Sequence, residues 1–262
     1  MNGVIIQFFH WYHPGDVWNE FIQKIEYLKN IGITAVWLPP ANKCDLGKKG
    51  RGYDVYDLYD LGEFDQKGGI ATRYGTKEEY LRAIDKAHES GISIYADIVL
   101  NHRMGSDEQE EITVHEVNKD NRNEIISDPF TALAGTKFTF PGRNGKYSGF
   151  VWDYQCFSGI DVITKDNEEK KGVFKIHNEY GTTWNETVSH QFGNFDYLIG
   201  VDVEYRNPHV VQEMKNWIKW YFETTKVDGF RLDALKHISS DFLKDWITYI
   251  KTEINKDCFI LG

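Results

Sequence analysis

A chain of 262 residues that is 41% hydrophobic and 27% charged carries enough apolar side chains to bury a sizeable core, as ordinary globular proteins do. A formal charge of −10 and a pI near 5.4 exclude the basic footprint of a nucleic-acid or anionic-lipid partner, and no apolar run approaches the length of a membrane span. Cys44, Cys156 and Cys258 form neither a CxxC pair nor a disulfide framework, and Met1–Gln7 has no basic segment leading into an apolar one, so a cytoplasmic protein is expected.

In chain order, Val4–Phe9 reads as a strand, and Asp16 is placed to cap a helix whose apolar positions Trp18, Phe21, Ile22, Ile25 and Leu28 recur at helical spacing as far as Gly32. Ile33–Leu38 is a buried-strand pattern halted by Pro39-Pro40. Thr76-Lys-Glu-Glu79 is a capping box that opens a second helix through Tyr80, Leu81, Ile84 and Ala87, ending at Gly91. Ile92–Leu100 is a third strand. Strand and helix in alternation predict a parallel sheet with right-handed crossovers.

From about Asn101 to Tyr205 that rhythm breaks. The segment is rich in Gly, Asn and Asp, with short aromatic pieces at Lys137–Phe140 and Phe150–Tyr154 and a helical turn only around Pro129–Leu133. A structureless loop of this length is implausible in a compact domain, so an inserted subdomain of strands and loops is expected. The alternation then resumes. Val210, Met214, Trp217, Ile218 and Tyr221 line a helix after Pro208, Val227–Leu232 is a strand, Ser239 or Ser240 caps a helix through Phe242, Leu243, Trp246, Ile247, Ile250 and Ile254, and Phe259–Leu261 begins a fifth strand. With roughly 30 residues per unit of an eight-fold barrel, the chain holds about five units. The expected fold is therefore α/β, a partial (β/α)8 TIM barrel of about five strands with a β-rich subdomain inserted after the third: residues 1–100 and 206–262 for the barrel, 101–205 for the insertion.

Barrels of this kind place chemistry at the carboxyl ends of strands, and polar residues stand there in Asp97-Ile-Val-Leu-Asn101-His102 and in Gly229-Phe-Arg231-Leu-Asp233 followed by Ala-Leu-Lys236-His237. Period-two geometry puts Arg231 and Asp233 on one face, with Phe230 and Leu232 on the other. A guanidinium beside a carboxylate keeps it ionised, which suits a glycosyl nucleophile. The same pair also fits a purely structural ion pair inside a barrel.

Asp97–His102 matches DxxxNH and Gly229–His237 matches GFRxDxxKH, two motifs of the α-amylase family, in the family's order and around an insertion. Gln7-Phe-Phe-His-Trp-Tyr12, Gly32–Pro40 and Gly52–Phe64 agree, and the whole chain resembles the liquefying and intracellular bacterial branch of that family. The resemblance implies retaining endo-hydrolysis of α-1,4 bonds in starch, glycogen or maltodextrins. It makes Asp233 the nucleophile and Arg231 its aligning partner, with His102 bonding sugar hydroxyls, Tyr53 stacking on the ring under attack, and Lys236 and His237 lining the leaving-group side. It also implies a structural Ca2+ held by Asn101, Asp196, Asp202 and the backbone carbonyl of His237, all hard oxygen donors.

Two departures accompany it. Asn185 stands where some relatives have an Asp of a second metal site, and Glu204 replaces another usual Asp, which puts a metal cluster in doubt. The residue after Gly262 is where the family carries its general-acid Glu, so the 262 residues by themselves are expected to lack hydrolytic activity. Asp57 and Asp60, in the aromatic-acidic run Tyr53–Asp60, read as solvated loop residues. Competing readings are a transglycosylase or short-α-glucoside enzyme of the same fold, a non-catalytic glycan-binding relative, and an unrelated metal-dependent hydrolase using the Asp and His residues directly.

Overall fold

Residues 3–262 are described by a computed structural model. The chain opens with β1 (Ile5–Gln7) and α1 (Val17–Asn30), whose stripe of Val17, Trp18, Phe21, Ile25 and Leu28 is buried at the spacing the sequence predicts. Asp16 does not cap α1 with its side chain. It sits in the left-handed region at φ 55°, a conformation Asp tolerates, and its carboxylate accepts from Asn19 Nδ2 at 2.8 Å. Strand β2 (Ala35–Leu38) follows, then a short antiparallel pair, β3 (Lys43–Cys44) with β4 (Val55–Asp57). Helix α2 (Lys77–Glu89) starts at the expected capping box, with Thr76 N donating to Glu79 Oε2 at 2.8 Å and Glu79 N to Thr76 Oγ1 at 3.3 Å. Strand β5 (Ser93–Ile98) completes the first barrel segment.

The insertion comprises β6 (His102–Arg103), β7 (Glu108–Asn118), β8 (Asn121–Ile125), β9 (Phe130–Lys137), β10 (Phe157–Lys165), β11 (Glu168–Ile176) and β12 (Val201–Val203). They form one sheet in the order β11-β7-β9-β10-β12-β6, with β8 on β7, and every pairing is antiparallel. The turn expected around Pro129–Leu133 is instead part of β9. Its buried positions are Ala132, Ala134 and Thr136, whereas Leu133 points outward, so the large apolar residue lies on the wrong face to signal a strand.

Helix α3 (Pro208–Thr225), capped by Asn207 with Pro208 in its first turn, leads to β13 (Gly229–Leu232). Helix α4 (Ser240–Tyr249), capped by Ser239, continues as a wider turn to Ile254 before β14 (Phe259–Leu261). Strands β1-β2-β5-β13-β14 lie in that order, all parallel, as an arc of five. Helices α2 and α3 are joined in the core by the hydroxyls of Tyr80 and Tyr221, 2.8 Å apart and buried.

Asp57 and Asp60 are not solvated loop residues. They are 1% and 0% exposed. Asp57 accepts from Arg143 Nε at 2.9 Å, tying the insertion to β4, and Asp60 faces Lys43 Nζ at 3.3 Å while accepting three backbone N–H groups. A buried carboxylate persists only when paired in this way.

Candidate active site

The parallel register sets Arg231 beside Asp97 and Phe230 beside Ala96, so β13 and β5 direct both charged side chains to one face. Phe230 and Leu232 are buried on the opposite side. Asp233 follows β13 directly, its N–H donating to Ile98 O at 2.9 Å, which places the carboxylate at the carboxyl edge of the arc. Arg231 Nη1 donates to Asp233 Oδ1 at 2.6 Å and to Asp97 Oδ1 at 3.1 Å, and its guanidinium lies 4.9 Å from the centre of the Trp37 ring.

Asp97 is the hub of this arrangement, a residue the sequence places at the head of DxxxNH without a role. Its Oδ2 accepts from Tyr53 OH at 2.8 Å and Trp37 Nε1 at 3.1 Å. Burial pushes its carboxyl up to about 6 despite the pull of Arg231. Tyr53 is thereby held by its hydroxyl with its ring in the cleft wall.

His102 Nε2 lies 2.8 Å from Tyr53 O, a carbonyl that can only accept, so the ring proton is on Nε2 and Nδ1 is an acceptor. Nδ1 is buried and has no partner among the described residues. Burial also lowers the pKa of the ring, keeping it neutral.

These groups open onto a cleft of about 750 Å³ bordered by Tyr53, His102, Asp233, Trp11, Arg51 and Ile199, with Gln7 and Phe9 from the β1 end. Trp11 is 57% exposed and stacks on Tyr53 with ring centres 6.2 Å apart. The structure therefore brings Asp233, Arg231, His102 and Tyr53 together. Lys236 and His237 lie elsewhere: Lys236 Nζ bonds Gln191 at 3.0 Å, and His237 is buried with Nδ1 2.7 Å from Phe195 O.

Asn101, Asp196 and Asp202 converge where β6 and β12 pair. Asn101 Nδ2 donates to Asp202 Oδ1 at 3.1 Å, leaving the amide oxygen without a donor, while Asp196 accepts from Asn185 N at 2.9 Å and Asp202 from Ser158 Oγ. Burial pushes both carboxyls up, and repulsion from Glu204 adds to it. The nearest relief is Lys175, a fully buried ammonium that donates to Ser158 O and Ile176 O. Among the described residues no three His, Cys, Asp or Glu side chains converge as a metal site. The expected set has only two such side chains, the others being an amide and a backbone carbonyl. Glu204 is engaged by Arg206, which donates to its two oxygens at 2.8 and 2.5 Å.

A parallel β/α arc with an Arg-paired carboxylate at its strand ends and aromatic faces beside it is the layout of part of a β/α barrel. Residues 13–253 match the family described as "Alpha amylase, catalytic domain", and the chain belongs to the α-amylase family. It is 47% identical to the cytoplasmic alpha-amylase of Escherichia coli K12, covering 100% of this chain and 53% of that one, and 43% identical to the alpha-amylase of Geobacillus stearothermophilus, covering 100% and 47%. The glucan 1,4-alpha-maltohexaosidase of Bacillus sp. strain 707 is 40% identical over all of this chain and 50% of its own length. The chain thus spans about half the length of the curated relatives it matches. In fold it resembles the alpha-amylase of Geobacillus thermoleovorans complexed with acarbose, at TM-score 0.54 and 20% identity over 95% of this chain and 40% of that one.

Proposed function

We propose that this chain supplies the nucleophile and the glycone wall of a retaining, endo-acting α-1,4-glucan hydrolase. The observation that carries the reading is the Asp233 carboxylate held 2.6 Å from Arg231 at the floor of an aromatic-walled cleft. Asp233 attacks the anomeric carbon to form a β-glycosyl ester as the leaving oxygen departs; water then attacks that ester and releases the sugar with retained configuration. Arg231 keeps Asp233 ionised and aimed. The Tyr53 ring stacks on the sugar bound there, and His102, held by Tyr53 O, borders the same part of the cleft. Lys236 and His237 serve the leaving-group side only if the Gln191 and Phe195 contacts open.

Retaining chemistry needs a second carboxyl, protonated, roughly 5–5.5 Å from the nucleophile. Asp97 cannot donate a proton to a leaving oxygen, because Arg231, Tyr53 and Trp37 occupy its oxygens and it is buried. The proton donor is accordingly not assigned to Asp97.

Asn101, Asp196, Asp202 and the His237 carbonyl fit a structural Ca2+: two buried carboxylates incompletely balanced by Lys175, next to a free amide oxygen. Such an ion would join the insertion to the barrel, not enter the reaction. A cytoplasmic location accords with the likeness to the Escherichia coli relative and with three free, buried cysteines.

The test is hydrolysis of starch and maltoheptaose, with calcium, by the 262 residues and by a protein extended to the relatives' length. Internal cleavage to mixed maltooligosaccharides by the extended form alone supports the reading. Release of glucose only from chain ends, or from short α-glucosides, replaces it with the same-fold alternative.

A further inference from the structure

One wall of the cleft is cationic in a protein of net charge −10. The loop between β3 and β4 carries Lys48, Lys49 and Arg51, and the ion pairs of the region, Lys43–Asp60 and Lys67–Asp45, leave all three out. Lys49 and Arg51 border the cleft beside Tyr53.

This loop is built to one shape. The Asp54 carboxylate accepts from Leu46 N and Arg51 N, each at 3.2 Å, Tyr74 OH donates to Arg51 O at 2.9 Å, and Arg73 Nη1 donates to Lys49 O at 3.3 Å. A Cβ on Gly50 would lie 2.4 Å from both Asp54 and Cys44, and one on Gly52, at φ 97°, would lie 2.6 Å from Pro40. The two cations are therefore fixed in place at the backbone.

Arg51 Nε donates to Trp11 O at 2.6 Å and its guanidinium sits 4.6 Å from the centre of the Trp11 ring, which lies 25° from parallel with Tyr53. Among the described residues its Nη groups have no hydrogen-bond acceptor. A neutral glucan needs aromatic faces and hydroxyl partners; two cations beside that platform, with the one neighbouring carboxylate, Asp54, turned onto loop N–H groups, match a charge on the sugar. An arginine fork with free Nη groups and a neighbouring ammonium suit a phosphate monoester, which takes two donors from the fork and one from the lysine.

We propose that Lys49 and Arg51 form a subsite for a phosphate monoester carried on an α-glucan, making them specificity residues for phosphorylated substrate. This rests on the glucan-hydrolase reading and adds the substrate class it favours.

The experiment measures binding by calorimetry in the protein of the relatives' length, carrying Asp233→Asn to stop turnover. The ligands are a maltooligosaccharide 6-phosphate, the same sugar after phosphatase treatment, and inorganic phosphate as competitor. The phosphorylated sugar should bind about tenfold tighter than its neutral parent. That ratio should fall below about threefold with Lys49→Gln or Arg51→Gln, survive in part with Arg51→Lys, and collapse at high salt in the unaltered loop. Lys49 is solvent-exposed and its backbone makes the loop contacts, so Lys49→Gln and the salt series remain informative even if the Arg51 variants misfold. Equal affinity for the two sugars, or a preference indifferent to Lys49→Gln and to salt, overturns the subsite. Failure of the folded protein to bind either sugar sinks the glucan reading itself, and the subsite with it.

Discussion

At the residue scale, one guanidinium lies between two carboxylates that are meant for different work. Asp233 faces the cleft, whereas Asp97 is sealed behind Tyr53 and Trp37, and burial holds its pKa near 6. Its unfolded value is about 3.9. Between about 4 and 6 the folded protein therefore binds the extra proton, so stability falls as pH rises through that window. Asp97→Asn removes this contribution: the slope of unfolding free energy against pH, from urea melts between about 4.5 and 6.5, should be less negative than in the parent, and an unchanged slope contradicts the assignment. The same variant loosens Arg231 and Tyr53 without touching substrate, so in the active protein kcat should drop about 100-fold with KM changed little. The Arg231–Asp233 pair was legible from strand periodicity, whereas the places of His102 and Tyr53 were expected only from the family resemblance. The partners of Asp57 and Asp60 were not: Arg143 belongs to the insertion and Lys43 to another strand, and nothing adjacent in the chain announces either.

Elements were legible where a stripe or cap is written in consecutive residues. The capping box at Thr76 and the stripes of α1 and α3 are of that kind. Strand β9 was missed because its inward face carries Ala132, Ala134 and Thr136, too small to register against the outward Leu133. Thr76→Ala should cost about 1 kcal/mol by removing the acceptor for Glu79 N, read as a fall of about 2–4 °C in Tm. Between helices, Tyr221→Phe strands the Tyr80 hydroxyl in the core and should cost about 1–3 kcal/mol, whereas Tyr80→Phe with Tyr221→Phe should recover most of that. A double variant no more stable than the single would mean that the hydroxyls are not each other's partner.

For the whole molecule, an arc of five parallel strands and an antiparallel insertion are tied at many points, among them Arg143 on Asp57 and His237 Nδ1 beside Phe195 O, while the oxygen cluster of Asn101, Asp196 and Asp202 lies within the insertion. Calcium held by that cluster and the His237 carbonyl would link the insertion to the segment after β13 and couple their unfolding. At about 100 times its dissociation constant the ion should add about 2.7 kcal/mol, which chelator at neutral pH should remove, and Asp202→Asn should abolish the difference. The gain should shrink as pH falls, since protons compete for raised carboxyls. An unchanged melting curve with and without calcium would leave the cluster to the side-chain cations around it, Lys175 and Arg206.

The central claim is that Asp233 is the nucleophile, and covalent trapping tests it most directly. An α-maltosyl fluoride slowed by ring fluorination needs no proton donor to lose its leaving group, so labelling isolates nucleophilic attack from acid catalysis. With the protein at its relatives' length, mass spectrometry should find one glycosyl ester on the peptide containing Asp233, and none after Asp233→Asn. A label on any other carboxylate, or undiminished turnover of maltoheptaose by Asp233→Asn, would contradict the account.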